Sequence, residues 1–122
     1  MAAPFVTLEK TIGFSFRDKD LLSQALTHRS AVRETKRHGH NERLEFLGDA
    51  VLELVITDYL YGRLKDSNEG ELTSLRSALV NADTCSLVAQ RLGANEFLLL
   101  SKGEAKDTGR ARQYILANTL EA

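Results

Sequence analysis

Asn41-Glu42-Arg43-Leu44-Glu45-Phe46-Leu47-Gly48-Asp49-Ala50-Val51-Leu52 is the stretch that decides the fold. Asn41 is a helix-capping residue type, and beyond it Leu44, Leu47, Val51, Leu52, Leu54, Val55, Ile56, Tyr59 and Leu60 recur at helical spacing. One long helix is therefore predicted from Asn41 to about Arg63. The β-branched run Val51, Val55, Ile56, Thr57 would suit a strand, but the length of the pattern favours helix. Its apolar residues occupy much of the circumference, which predicts a helix central to the fold, ended by Gly62 and Asp66-Ser67-Asn68.

Toward the N-terminus, Leu8 to Ile12 reads as a short amphipathic helix, and Asp18 caps a second that runs to Thr27. Arg33 to His40 is polar and charged, with Gly39 as punctuation, and reads as an exposed loop. Toward the C-terminus, Glu69 to Val80 predicts a helix with acidic residues in its first turn and Leu72, Leu75 and Leu79 facing inward. Asp83 to Leu92 predicts another, closed by Gly93. Phe97 to Leu100 reads as a short buried segment, Ser101 to Arg112 as a polar loop, and Tyr114 to Ala122 as a final helix. That helix stops in mid-pattern with neither cap nor breaker, so the natural protein is expected to continue past Ala122. The pattern is all-α, without internal repeats or low-complexity tracts.

A chain of 122 residues, 43% hydrophobic and 27% charged, can bury one core and is not disordered. No basic, apolar leader and no run of about 18 apolar residues occurs, which argues against secretion or membrane spanning. The lone Cys85, in an apolar-periodic stretch, reads as a buried structural thiol and points to a reducing, cytoplasmic compartment. A net charge of −1 does not advertise a nucleic-acid binder, so any such role rests on local clusters. Arg29, Arg33, Lys36, Arg37 and Arg43 form one, and Lys102, Lys106, Arg110 and Arg112 another; each reads either as solvated charge or as a phosphate-contacting strip.

Glu42, Glu45 and Asp49 stand at i, i+3 and i+7 of the long helix and share one narrow face at about 100° per residue. Like charges so aligned repel, and Arg43 lies on another side, so compensation comes from a distant basic residue or a divalent cation held by oxygen ligands. A solvated acidic stripe, to which Glu53 also belongs, is the competing reading. Asn118 and Glu121, at i and i+3 of the last helix, could close an oxygen cage against the first set if the two helices pack together.

The run from Asn41 to Leu52 resembles the signature of the ribonuclease III family. It is supported in order by Ala25-Leu26-Thr27-His28-Arg29-Ser30, Glu69-Gly70-Glu71-Leu72, Leu75-Arg76, Lys102-Gly103-Glu104 and Ile115-Leu116-Ala117-Asn118-Thr119-Leu120-Glu121-Ala122. The resemblance covers nearly the whole chain. It implies an all-α endonuclease domain over residues 1–122, built around a central signature helix and shortened on its C-terminal side, without the double-stranded RNA-binding domain that most bacterial relatives carry. It further implies that Glu45, Asp49, Asn118 and Glu121 hold a catalytic Mg2+, for which Mn2+ is a plausible substitute, with Asp49 and Glu121 central to catalysis. Asn118 departs from the Asp most often found in the family, and its amide oxygen can coordinate without contributing charge.

Glu42 and Glu69 match further acidic positions that line the cleavage site or touch RNA, and Arg43 and Lys102 are candidates for RNA contact. Glu69 reads equally as a first-turn helix acid. The resemblance also implies a homodimer in which paired signature helices form a valley for duplex RNA, with Phe46 either an interface anchor or ordinary core. The implied reaction is hydrolysis of double-stranded RNA by a metal-activated water, leaving 5′-phosphate and 3′-hydroxyl ends, in the processing of RNA including ribosomal RNA. His28, His38 and His40 read as structural or phosphate-contacting. One rival is a catalytically degenerate relative that holds ribosomal RNA, for which Asn118 speaks. Another, a di-iron bundle, needs Glu-x-x-His pairs, and the sequence has none.

Overall fold

The structure, a computed structural model, describes residues 5–32 and 39–122. Its helices are α1 (Val6–Ile12), α2 (Lys19–Ala25), α3 (Glu42–Arg63), α4 (Glu69–Leu79), α5 (Ala82–Arg91), α6 (Lys102–Lys106) and α7 (Arg110–Glu121). Short 3-10 turns lie at Arg29–Ala31 and Ala94–Phe97. Among the described residues the one β-type pairing is an isolated parallel bridge between Thr27 and Leu99, so the all-α expectation holds. Most of the expected loop from Arg33 to His40, with Arg33, Lys36, Arg37 and His38, lies outside the described residues.

Local chemistry sets most of the boundaries. The Asp18 carboxylate accepts from the Leu21 N–H at 3.0 Å and starts α2. Asn68 and Glu71 form a reciprocal capping box that starts α4, with bonds of 2.9 and 3.0 Å. Asn81 accepts from the Thr84 N–H to start α5. Gly93, at φ 77°, takes the left-handed conformation that ends α5 without the steric cost a Cβ brings. Buried Glu9 accepts from Lys19 Nζ and from the Phe16 N–H, both at 2.6 Å, and ties α1 to the start of α2.

Several expectations need correction. The polar run Ser101 to Arg112 is not a loop: Ser101 caps α6 by accepting from the Glu104 N–H, and α7 begins at Arg110 rather than Tyr114. The run is polar because most of it is exposed, and its anchor is itself polar. Arg112 is buried and donates to Asn95 Oδ1 and to the carbonyls of Glu104 and Ala105. The Phe97 to Leu100 segment is only partly buried.

Nor is α3 the buried centre. The core is built from Phe5, Leu8, Leu22 and Leu26 on one side and Ala89, Ala94 and Leu116 on the other, so α5 and α7 occupy the middle. Within α3 only Leu60 is buried, while Phe46, Leu47, Val51, Leu54, Val55 and Tyr59 are exposed. In α4, Leu75 and Leu79 are likewise exposed and Leu72 only partly covered. An apolar pattern reports that a face avoids water, not that the same chain supplies the cover. Cys85 is buried and unpaired, as expected. Among the described residues no helix is long and apolar enough to cross a membrane.

Candidate active site

The first half of α3 lies along α7, and the oxygen-bearing residues of both helices meet where they pack. Glu42, Glu45 and Asp49 from α3 and Asn118 and Glu121 from α7 line one cavity of about 630 Å³. The approach is close because α3 carries Gly48 between Glu45 and Asp49. A Cβ there would stand 2.5 Å from the Glu121 carbonyl carbon and nearer still to its oxygen. The helical spacings seen in the sequence thus converge on a single site.

Crowded carboxylates leave an electrostatic signature. Glu121 is pushed up to about 7 by burial first, then by repulsion from Asp49 and Glu45 and by a hydrogen bond with Asp49. Glu45 is also raised, by burial and then by Glu42 and Asp49. The buried thiol of Cys85 is raised by burial and, behind the site, by Glu121 and Asp49. Among the described residues lining the cavity, Arg29 is the only lysine or arginine, and it faces Glu42 at 3.4 Å, with both side chains largely exposed. His28, also on the wall, is held below its ordinary value by burial and adds little positive charge.

Among the described residues the cavity is therefore under-compensated, and the carboxylates of Glu42, Glu45, Asp49 and Glu121 with the Asn118 amide offer it hard oxygens, a set that suits Mg2+ or Mn2+. Among the described residues no three His, Cys, Asp or Glu side chains converge closely enough to hold a metal ion by themselves. The carboxylates instead face an open cavity, and Mg2+ commonly completes its coordination with waters and substrate phosphate oxygens.

Other predicted residues fall elsewhere in this chain. Glu69 lines a separate cavity of about 290 Å³ between α3 and α4, beside Thr57, Tyr61 and Arg76. Arg43 lines a neighbouring groove with Gln24 and Leu47, and Lys102 is exposed at the start of α6, outside the cavity wall. Phe46 lines both the cavity and that groove and is 83% exposed, so it is not core.

Arg29, Glu104 and Tyr114 line the site without having been singled out for it. Tyr114 was findable, lying one turn before Asn118 on the same face of α7. Arg29 stood out only as part of a basic cluster, with nothing local to set it against the carboxylates. Its 3-10 turn reaches the site through bonds distant in sequence: the His28 N–H donates to Leu99 O and the Asn41 N–H to Thr27 O, each at 3.0 Å.

Comparison with known proteins places residues 18–122 within the family model described as Ribonuclease-III-like. Ribonuclease 3 of Shewanella oneidensis is 47% identical over 113 residues, 93% of this chain and 48% of the relative. Ribonuclease 3 of Carboxydothermus hydrogenoformans is 48% identical over 119 residues, 96% of this chain and 51% of the relative. The chain thus spans about half the length of these relatives. A solved nuclease domain of ribonuclease III from Campylobacter jejuni, described for flexibility in its dimer-forming region, superposes with a TM-score of 0.86 at 42% identity. It covers 96% of this chain and 79% of the solved one.

Proposed function

The chain belongs to the ribonuclease-III-like family, and on that premise we propose that it is the catalytic part of a Mg2+-dependent endoribonuclease. Its substrate in this reading is double-stranded RNA, cut by phosphodiester hydrolysis to 5′-phosphate and 3′-hydroxyl ends during cytoplasmic RNA processing, ribosomal RNA included. The observation that carries the reading is the cavity in which α3 and α7 bring Glu45, Asp49, Asn118 and Glu121 together with, among the described residues, only Arg29 as a lysine or arginine on its wall.

Glu45, Asp49, Asn118 and Glu121 are the residues that would hold the ion, with Asn118 supplying an amide oxygen in place of a charge. A bound Mg2+ would polarise the scissile phosphate and ease deprotonation of the attacking water. The protein's own part is positional. Glu45 and Asp49 are fixed one turn apart on α3 and Asn118 and Glu121 on α7, so a phosphate entering the open side meets preset donors. Arg29 on the wall is free to exchange its exposed partner Glu42 for a phosphate oxygen. A-form RNA is read mainly through its shape, phosphates and 2′-hydroxyls, which such a site can serve with little base discrimination.

The exposed apolar strip of α3, with Phe46 at one end, supports a homodimer through this helix. A two-fold axis would set two such sites against the two antiparallel strands of one duplex.

The test is cleavage of a labelled RNA duplex with Mg2+ or with chelator, using the protein, Asn118→Asp and Asp49→Ala. The protein should cut only with Mg2+, Asn118→Asp should cut at lower Mg2+, and Asp49→Ala should bind RNA without cutting it. Cleavage by Asp49→Ala or in chelator overturns the assigned site. Cleavage by Asn118→Asp alone would make the chain an RNA-holding form.

A further inference from the structure

Asn41 occupies the N-cap position of α3 yet makes no side-chain capping bond, forfeiting the stabilisation such a residue type usually gives there. The residue is instead 5% exposed, with its amide turned into the fold. Nδ2 donates to Ala25 O at 3.0 Å and to Thr119 Oγ1 at 3.5 Å, across 78 residues of sequence. Thr119 in turn donates to Ile115 O at 2.7 Å, which fixes its rotamer. The link joins α7 beside Asn118 to α3 one turn before Glu45, whose N–H bonds to Asn41 O. Gly48 provides the second constraint on the same seam, where a side chain would run into the Glu121 backbone.

We propose that Asn41 and Gly48 are positioning residues that set the gap between the Glu45/Asp49 pair on α3 and the Asn118/Glu121 pair on α7. Asn41 pulls the helices together at one end, and Gly48 lets them approach at the other. Asn41 borders the cavity but commits its amide to Ala25 and Thr119, and Gly48 has no side chain to offer, so both act through the helix spacing; the inference rests on the metal-site reading above. Leu60 is the one fully buried residue of α3, so these two points bear directly on its register against α7.

The experiment compares Asn41→Ala and Gly48→Ala with Leu8→Ala, a core-cavity variant outside the site. Urea unfolding gives the stability of each, calorimetry its Mn2+ affinity without RNA, and single-turnover cleavage its rate. The two seam variants should lose about 10-fold or more in Mn2+ affinity and about 100-fold in cleavage rate. Leu8→Ala, destabilised as much or more, should bind Mn2+ as the parent protein does. If Gly48→Ala does not fold, Asn41→Ala carries the comparison. Parent-like Mn2+ affinity in a folded seam variant overturns the proposal, as does an equal loss in Leu8→Ala. Failure of the parent protein to bind Mn2+ is a distinct result that removes the metal-site reading and this inference with it.

Discussion

Replacing Glu121 by Gln should make the metal-free protein more stable at alkaline pH while removing a residue its proposed chemistry needs. Glu121 is pushed up to about 7 in the folded chain, against 4.5 for an unperturbed Glu. A carboxyl raised in this way stabilises the fold fully below the unfolded value, and that stability is lost as pH rises through the folded value. The window is therefore about 4.5 to 7. At about 1.4 kcal/mol per pH unit the limit is about 3 kcal/mol. Glu121 is only partly covered, and solvent screening reduces the expected effect to on the order of 1 kcal/mol.

Other groups also change charge with pH, His28 being held below its ordinary value by burial, so the informative quantity is the difference between the protein and Glu121→Gln at each pH. Urea unfolding in chelator should give equal stabilities near pH 4.5 and a variant ahead by on the order of 1 kcal/mol at pH 8. Saturating Mg2+ should reverse the order, because the ion then stabilises only the protein that binds it. A difference that does not change with pH, or that favours the parent at pH 8 in chelator, would falsify the crowded-carboxylate account.

Phe46→Asp places a charge where the aromatic ring is 83% exposed. Sedimentation should shift from dimer to monomer with little loss of monomer stability, and an unchanged dimer would remove α3 as the interface. Leu116→Ala, at a side chain 1% exposed in the middle of the core, should cost about 2–5 kcal/mol in urea unfolding. A loss below about 1 kcal/mol would mean that α7 is not the core helix described.

Periodicity reached the longer helices and the site, but not α6 or the distribution of burial. Glu45, Asp49, Asn118 and Glu121 were legible because helical spacing puts each pair on one face, and a close helix pairing needs only a residue such as Gly48. The apolar stripe of α3 misled because hydrophobicity does not say whether cover comes from within the chain or from outside it. Helix α6 was hidden because Arg112, a charged residue, does the anchoring that a leucine does elsewhere. Asn41 was legible by type and misread in role, since the tertiary partner Thr119 lies far along the chain. Arg29 enters the site through the Thr27–Leu99 bridge, a long-range pairing with no local pattern.

The unequal anchoring of α3 and α7 divides the site into two mechanical regimes. Amide protons around Leu116 should exchange with solvent only on global unfolding, whereas those in the outer turns of α3 should exchange through smaller local openings. One wall of the cavity is thus stiff and the other compliant. Any surface that covers Phe46 to Tyr59 slows the second class of exchange without touching the first, and the protection it adds grows with protomer concentration.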